Sequence, residues 1–504
     1  MMALLLVCAC FAAIVVLYFR HNPLEHGSWF MMRRFINWLP LGMTYGFLYM
    51  GRYNLTVAKT ALGGLMSNED LGFIFAAGTV TYGFSFLVSG PLVDKLGGKM
   101  GILIAALGSS AANAALGVLT YLALMHRLHM NLVAAFSLVY AANMHFQSYG
   151  AISIIKVKAY WFHVRERGVF GAIFGTLISM GIYFAFDWGQ AIVNVTKVQQ
   201  GQTSRWLHDF ARKIFASDAT PVDAVWAVFF IPAVILLFWL ALDAWLIKDT
   251  PEEADFPHLD THDASSGAMH IELTTWDLLK KVFASPLMLL FAGISFTSGV
   301  LRNGITQWYF LFAKQVPQGS AKLIGDHWGL LLCIFGIIGG FAGGLISDRF
   351  FQSRRAPPVV LLSAMAFLLA LAMSASLNSS PWMLGCAGVG IVMAAIGVTS
   401  LMSGTAAADF GGRKATATCS GIIDGFAYLG TGLQSFGIGM LVDRGNWHWW
   451  PIFLMPFALL GAVLAMSVWH KLPDATRRYI ATVEQKPAQK PGSGTLAKTP
   501  AESE

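Results

Sequence analysis

Gly90-Pro91-Leu92-Val93-Asp94-Lys95-Leu96-Gly97-Gly98-Lys99 ends one long apolar run and opens the next. The second half of the chain contains a shorter version, Gly344-Leu345-Ile346-Ser347-Asp348-Arg349, followed by Arg354 and Arg355. In both copies a glycine stands four positions before an aspartate that is itself followed by a base. Glycine lets two helices approach closely, and the carboxylate can cap a neighbouring helix or pair with a base. Gly90, Asp94, Lys95, Asp348 and Arg349 are therefore read as gating positions. Two copies at matching places divide the chain into two similar halves.

Composition says what those halves are made of. Of 504 residues, 56% are hydrophobic and 12% charged, with a mean hydropathy of +0.59. This is an all-α membrane protein that crosses the bilayer many times. Its net charge of +7 is spread over short loops and bears on topology, with no nucleic-acid partner implied. The five cysteines show no paired spacing and read as small apolar packers, with no metal, cofactor or disulfide framework. No nucleophile–base constellation or nucleotide loop appears, which argues against an enzyme and leaves no catalytic residue to name.

The apolar runs lie at about 36–65, 70–92, 100–125, 131–156, 168–195 and 223–247, then 286–314, 325–347, 357–376, 381–408, 416–441 and 450–470. Each approaches the twenty residues that a span requires. An additional run, Ala3 to Phe19, precedes them without a positive leader segment and reads as an extra uncleaved helix. The expected organisation is an extra helix and connector (1–30), a six-helix half (31–248), a linker (249–285), a second six-helix half (286–471) and a disordered tail (472–504). Arg33, Arg34, Lys95, Lys99, Arg165, Arg167, Lys280, Lys281, Arg349, Arg354, Arg355, Arg413, Lys414, Arg477 and Arg478 all fall on one side. That side is expected to be cytoplasmic, which puts the N-terminus outside and the C-terminus inside a plasma or bacterial inner membrane.

Inside the first run, Tyr45, Tyr49, Arg52, Thr56 and Lys59 step by four, three, four and three and share one helix face. A guanidinium at that depth costs about 2.5–3.5 kcal/mol, so it faces a bundle interior or a wet cavity. The seventh run offers a counterpart in Val300-Leu301-Arg302-Asn303-Gly304-Ile305-Thr306-Gln307-Trp308. Two guanidiniums sharing a cavity repel unless an anion sits between them, and their planar forks suit phosphate or carboxylate oxygens. The competing reading pairs each arginine with its own buried acid. Asp187 and Asp243 lie toward span ends, and Asp424 lies deep in a helix.

Tyr45-x3-Tyr49-x2-Arg52-x-Asn54-Leu55-Thr56-Val57-Ala58 resembles the organophosphate:phosphate antiporters of the major facilitator superfamily, the glycerol-3-phosphate and hexose-phosphate transporters among them. The resemblance continues through Tyr82-Gly83-Phe84-Ser85 and the Gly90 motif. It takes in Lys156, Ala159, Trp161, Phe162, Glu166, Arg167 and Gly168, then Leu301-Arg302, Gly304-Ile305, Trp308, Gly344 to Arg349, and Gly425 to Gly430. It covers residues 36–470 and implies the major facilitator fold of six plus six helices, with substrate near the midplane between the halves. It also implies a monomer that exchanges a phosphate ester for inorganic phosphate. By the same resemblance Arg52 and Arg302 bind the phosphate, and Tyr45, Tyr49, Tyr82 and Tyr428 line the cavity. Gln307 and Trp308, in the Arg302 run, join the candidate binding residues.

The chain departs from that family twice. Phe86 stands where a second-span lysine is usual, and Leu177 and Ile178 stand in the fifth-span stretch that usually holds a histidine. Lys59, Lys156 and His145 (the last with Asn143, Gln147 and Tyr149) are the candidate replacements. The lysines read equally well as snorkelling side chains and His145 as an interhelical histidine. Two other functions stay open: a membrane sensor of sugar phosphate without net transport, and a proton-coupled carrier of another organic anion in which Asp424 matters.

Overall fold

The computed structural model describes residues 2–20, 22–163, 166–196, 224–259, 280, 283–315, 324–351, 354–443 and 445–470. The side chains of 2–3, 167–169, 171–172, 348 and 404–419 also lie outside the description, and so the gating position Asp348 does too. The elements are α1 (Met2–Arg20), α2 (Ser28–Leu62), α3 (Asn68–Leu96), α4 (Gly98–Leu124), α5 (Leu132–Trp161) and α6 (Arg167–Tyr183). After α6 a π-helical turn, Phe184–Trp188, leads into α7 (Gly189–Val195), and α8 (Ala227–Leu246) follows. The second half holds α9 (Pro286–Thr306), α10 (Trp308–Gln315), α11 (Trp328–Phe350), α12 (Ala356–Ser376), α13 (Pro381–Thr399), α14 (Ala407–Val442) and α15 (Trp449–Met466).

Eight helices of the described residues are long and apolar enough to cross a membrane by length and composition. The runs of α2, α5, α6 and α14 are not among them. In α2 the cause is visible: Arg33, Arg34, Arg52 and Lys59 interrupt its hydropathy. The fifth run, expected as one helix over 168–195, is divided by the π-helical turn at Asp187, a local feature that often accompanies function.

The halves meet along two related seams. α3 packs along α14, and α6 packs along α11. On the first seam the backbones come so close that a Cβ on Gly83 would stand 2.9 Å from the Gly425 oxygen, and one on Gly425 would stand 3.0 Å from that of Gly83. Only glycine fits at either position.

At the end carrying the linker between halves, the Gly90–Lys99 motif turns the chain. Gly97 has φ +89°, and a Cβ there would fall 2.2 Å from Asp249 Oδ2. Asp249 Oδ1 in turn accepts the Lys99 N–H at 2.7 Å, so the linker caps the start of α4. The Asp94 carboxylate binds Lys156 Nζ at 2.8 Å. At the opposite, far end, hydrogen bonds cross between halves: Asn68 and Gln315 exchange their side-chain amides at 3.2 and 2.9 Å.

α1 lies against α6, and its Tyr18 hydroxyl donates to the Met31 carbonyl at 2.7 Å. It also accepts from Arg34 Nε at 3.0 Å. Arg34, counted in the sequence among the bases that set topology, is buried. It holds Glu166 through two hydrogen bonds of 2.8 Å.

Candidate anion site

Arg52 sits midway along α2, 2% exposed. Its Nε donates to Gln147 Oε1 at 3.0 Å, and its Nη1 donates to the Tyr428 hydroxyl across the divide between halves. Its Nη2 is buried and makes no hydrogen bond. The guanidinium carbon lies over three rings, 4.5 Å from the centroid of Tyr49, 4.7 Å from Tyr82 and 5.3 Å from Tyr428. Each such cation–π contact is worth about 0.5–2 kcal/mol. Among the described residues no carboxylate lies within salt-bridge distance of Arg52.

What holds Arg52 is a neutral network. Gln147 donates to Asn143 Oδ1 at 3.3 Å, and Asn143 donates to the Gly51 carbonyl at 2.9 Å. Asn113 and Asn54 extend the chain of amides, while Tyr140 donates to the Arg52 carbonyl at 2.9 Å. Amides and hydroxyls orient a guanidinium without cancelling its charge. The guanidinium is therefore fixed in place while its Nη2 stays unpaired.

Arg302 reaches the same place from α9. Its guanidinium carbon lies 5.8 Å from the Tyr428 ring, so Tyr428 stands between the two arginines. Asp424 lies one turn before Tyr428 on α14 and makes no ion pair with Arg302 within 4 Å. Tyr82 packs against Tyr428 with ring centroids 4.2 Å apart. Tyr45 stacks edge-on against Tyr49 at 5.5 Å.

Of the sequence candidates, Arg52, Arg302, Tyr49, Tyr82 and Tyr428 converge here, with Tyr45 beside Tyr49. The others lie elsewhere. Lys59 is at the far end of α2, its Nζ 3.5 Å from the Gly63 carbonyl. Lys156 is held by Asp94 at the linker end. Trp308 Nε1 donates to Gln434 at 3.0 Å, and Gln307 is buried beside Ser435, toward the far end. His145 Nδ1 lies 2.9 Å from Ser85 Oγ, on the α3–α5 seam. Gly90 and Arg349 sit at the linker end with Asp94 and Lys95.

The two departures are filled by packing. Phe86 lies edge-on against Tyr82 at 4.9 Å. Leu177 fits a groove of α2, where a Cβ on Gly42 would stand 2.3 Å from its Cδ1.

Gln147, named from the sequence only beside His145, is the amide that meets Arg52, while Tyr53 and Asn303 are uncharged neighbours of the two arginines that the sequence analysis does not single out. Tyr53 donates to Asn303 Oδ1 at 2.6 Å between the halves. Both residues directly follow an arginine, Arg52-Tyr53 and Arg302-Asn303, so the internal repeat carried that signal. Gln147 ends the Tyr140, Asn143, Gln147 stripe, whose spacing of three and four marks one polar helix face.

Two six-helix halves around one buried cationic centre define a multi-pass membrane protein of the transporter class. The model of the Major Facilitator Superfamily matches residues 41–434, and the chain belongs to that family. The glycerol-3-phosphate transporter of Bacillus subtilis (strain 168) is 25% identical over 423 residues, covering 80% of this chain and 85% of the relative. A probable hexose phosphate transport protein of Chlamydia trachomatis is 22% identical, covering 86% and 91%. The membrane sensor protein UhpC of Escherichia coli (strain K12) is 23% identical, covering 83% and 87%. The resemblance read from the motifs and the relatives found by comparison thus agree. Among solved structures, the bacterial homolog to the human lysosomal transporter Spinster, inward-facing and unoccupied, superposes with a TM-score of 0.64 at 13% identity. It covers 90% of this chain and 99% of that one. Proteins of this superfamily are transporters and not enzymes.

Proposed function

We propose that the protein is a secondary transporter of an organic phosphate of the sugar-phosphate or glycerol-phosphate type, exchanging it for inorganic phosphate as a monomer. The observation that carries this reading is the buried Arg52 guanidinium, which has a free Nη2 and, among the described residues, no acid of its own, and which lies across Tyr428 from Arg302. A phosphate monoester has enough oxygens to engage both forks, draw Tyr428 off Arg52 and pull the halves together. The rings of Tyr45, Tyr49 and Tyr82 offer apolar faces to its organic part. The halves then rock around the site, which alternates between the two membrane faces. The linker end is the cytoplasmic one, the N-terminus is outside, and the motif residues Gly90, Asp94, Lys95, Asp348 and Arg349 work at the cytoplasmic gate.

Counterflow in proteoliposomes loaded with inorganic phosphate tests this. External sugar phosphate or glycerol phosphate should drive efflux of labelled phosphate from the parent. Arg52→Ala and Arg302→Ala should each lose it, because each charged hydrogen bond to the ligand is worth about 1.5–3 kcal/mol. Parent-like exchange in either variant overturns the bridging site.

The similarity to a protein named as a membrane sensor favours a second reading, in which the same site binds sugar phosphate without net transport. Ligand-dependent thermal stabilisation of the parent with no counterflow would select it.

A further inference from the structure

At the far end, one carboxylate from each half sits on the first turn of a helix in the other half. Asp443, directly after α14, accepts the backbone N–H groups of Asn68 at 2.8 Å and Glu69 at 3.1 Å, the first two residues of α3. The third N–H of that turn, from Asp70, goes to Ser67 Oγ at 2.9 Å within the half. The first turn of α3 thus divides its orphan donors between its own cap and a carboxylate of the opposite half.

Asp187 occupies the corresponding place on the other seam. It lies in the π-helical turn after α6, and a Cβ on Gly329 would stand 2.7 Å from its Oδ2. That oxygen is buried and makes no hydrogen bond. α11 begins at Trp328, and its cap residue His327 supplies no side-chain hydrogen bond. A carboxylate of the opposite half thus rests against the first turn of α11. Setting α1 aside, α3 and α11 are the second spans of their halves, while α6–α7 and α14 are the fifth. The two contacts are thus related by the same internal repeat that duplicates the Gly90 motif.

We propose that Asp443 and Asp187 are paired latches that keep the far end shut, Asp443 by capping α3 and Asp187 by resting its carboxylate on the first turn of α11 across the divide. Each carboxylate faces the positive end of a helix dipole only while the halves are together at this end. Opening there takes both carboxylates away from the opposite helix at once. The latch concerns the far end alone and holds whatever anion the central site takes.

The test is a pair of spin labels across the far end, Met130→Cys on one half and Ser379→Cys on the other, with the five native cysteines replaced. Electron–electron distance measurements in nanodiscs then read the ratio of open to closed far ends. Asp443→Ala should raise that ratio about five-fold, the effect of losing one helix cap, and Asp187→Ala should raise it about two-fold, the smaller effect of losing a charge at a helix N-terminus. The double variant should raise it by about the product. Asp187→Asn and Asp443→Asn, which keep an acceptor but lose the charge, should give smaller shifts in the same direction. Asp70→Ala, which breaks only the cap within the half, should leave the ratio at the parental value. Unchanged distances in both single variants and the double variant would overturn the proposal. So would an equal shift in Asp70→Ala, since fraying of α3 alone would then explain the result.

Discussion

Arg34 and Arg52 lie on the same helix, both about as buried as an arginine becomes, and their surroundings are opposite. Arg34 is 1% exposed and is met by the Glu166 carboxylate through two bonds of 2.8 Å, with the Trp161 carbonyl accepting a third at 3.2 Å. The rings of Tyr18, Phe30 and Phe162 close around it, the last at 4.5 Å. Arg52 has aromatic neighbours too, but its polar partners are an amide and a phenol. The first arginine is neutralised within the fold and ties α1, α2 and the α5–α6 connection together. The second has no carboxylate partner among the described residues, which is what the proposed anion site rests on. Burial alone therefore does not tell the two arginines apart; the charge of their partners does.

The comparison breaks most severely if the Arg34 pair is opened. Glu166→Ala leaves an uncompensated buried charge and should destabilise the protein by about 3–5 kcal/mol in reversible unfolding. Burial raises the Glu166 pKa, but the His26 ring 3.6 Å away and the two hydrogen bonds from Arg34 outweigh that effect and hold it down at about 2. A depressed carboxylate contributes stability that is complete above its unfolded value of about 4.5 and is lost as pH falls toward 2. Acid unfolding of the parent should therefore steepen between pH 4.5 and 2, and Glu166→Gln should flatten that part of the profile.

Arg52→Ala should do the reverse. Ligand-free thermal stability should change by less than that of Glu166→Ala, because no acid is orphaned. The stabilisation gained from saturating phosphate ester, about 2.7 kcal/mol for the parent at 100 times Kd, should disappear. A fall in ligand-free stability matching Glu166→Ala would place Arg52 with Arg34 as a structural residue.

The sharpest change is the smallest. Gln147→Glu would give Arg52 the carboxylate it lacks and make it a second Arg34. Anion affinity in a thermal-shift titration should fall about tenfold, the equivalent of one charged hydrogen bond, while the ligand-free protein stays folded. Unaltered affinity would show that the neutrality of Gln147 does not keep Arg52 available.

Much of this arrangement was legible in the sequence. The repeated Gly-x3-Asp-basic motif marked the two halves, and the four–three spacing from Tyr45 to Arg52 put the stripe on one face, because helical periodicity is local. The stripe misleads beyond one turn: Lys59 shares that face but lies about two turns past Arg52 along the axis, where it ends beside Gly63. Lys156 was read toward the pocket and is held by Asp94 instead, a choice between partners that depends on which helices are neighbours. Arg34 looked like an ordinary flanking base, since nothing near it in sequence announced Glu166.

The sequence by itself determined that this is a polytopic helical membrane protein in two related halves, with one costly cation at mid-depth in the first span of each. Hydropathy, spacing and repetition are properties of short stretches and survive without a third dimension. Only the tertiary structure decided which cation is neutralised and which is left charged. It also decided that Tyr428 stands between Arg52 and Arg302, and that Asp443 caps a helix of the opposite half. Those outcomes depend on contacts between residues far apart in the chain, where the sign of a partner's charge, and not its sequence distance, sets the energy.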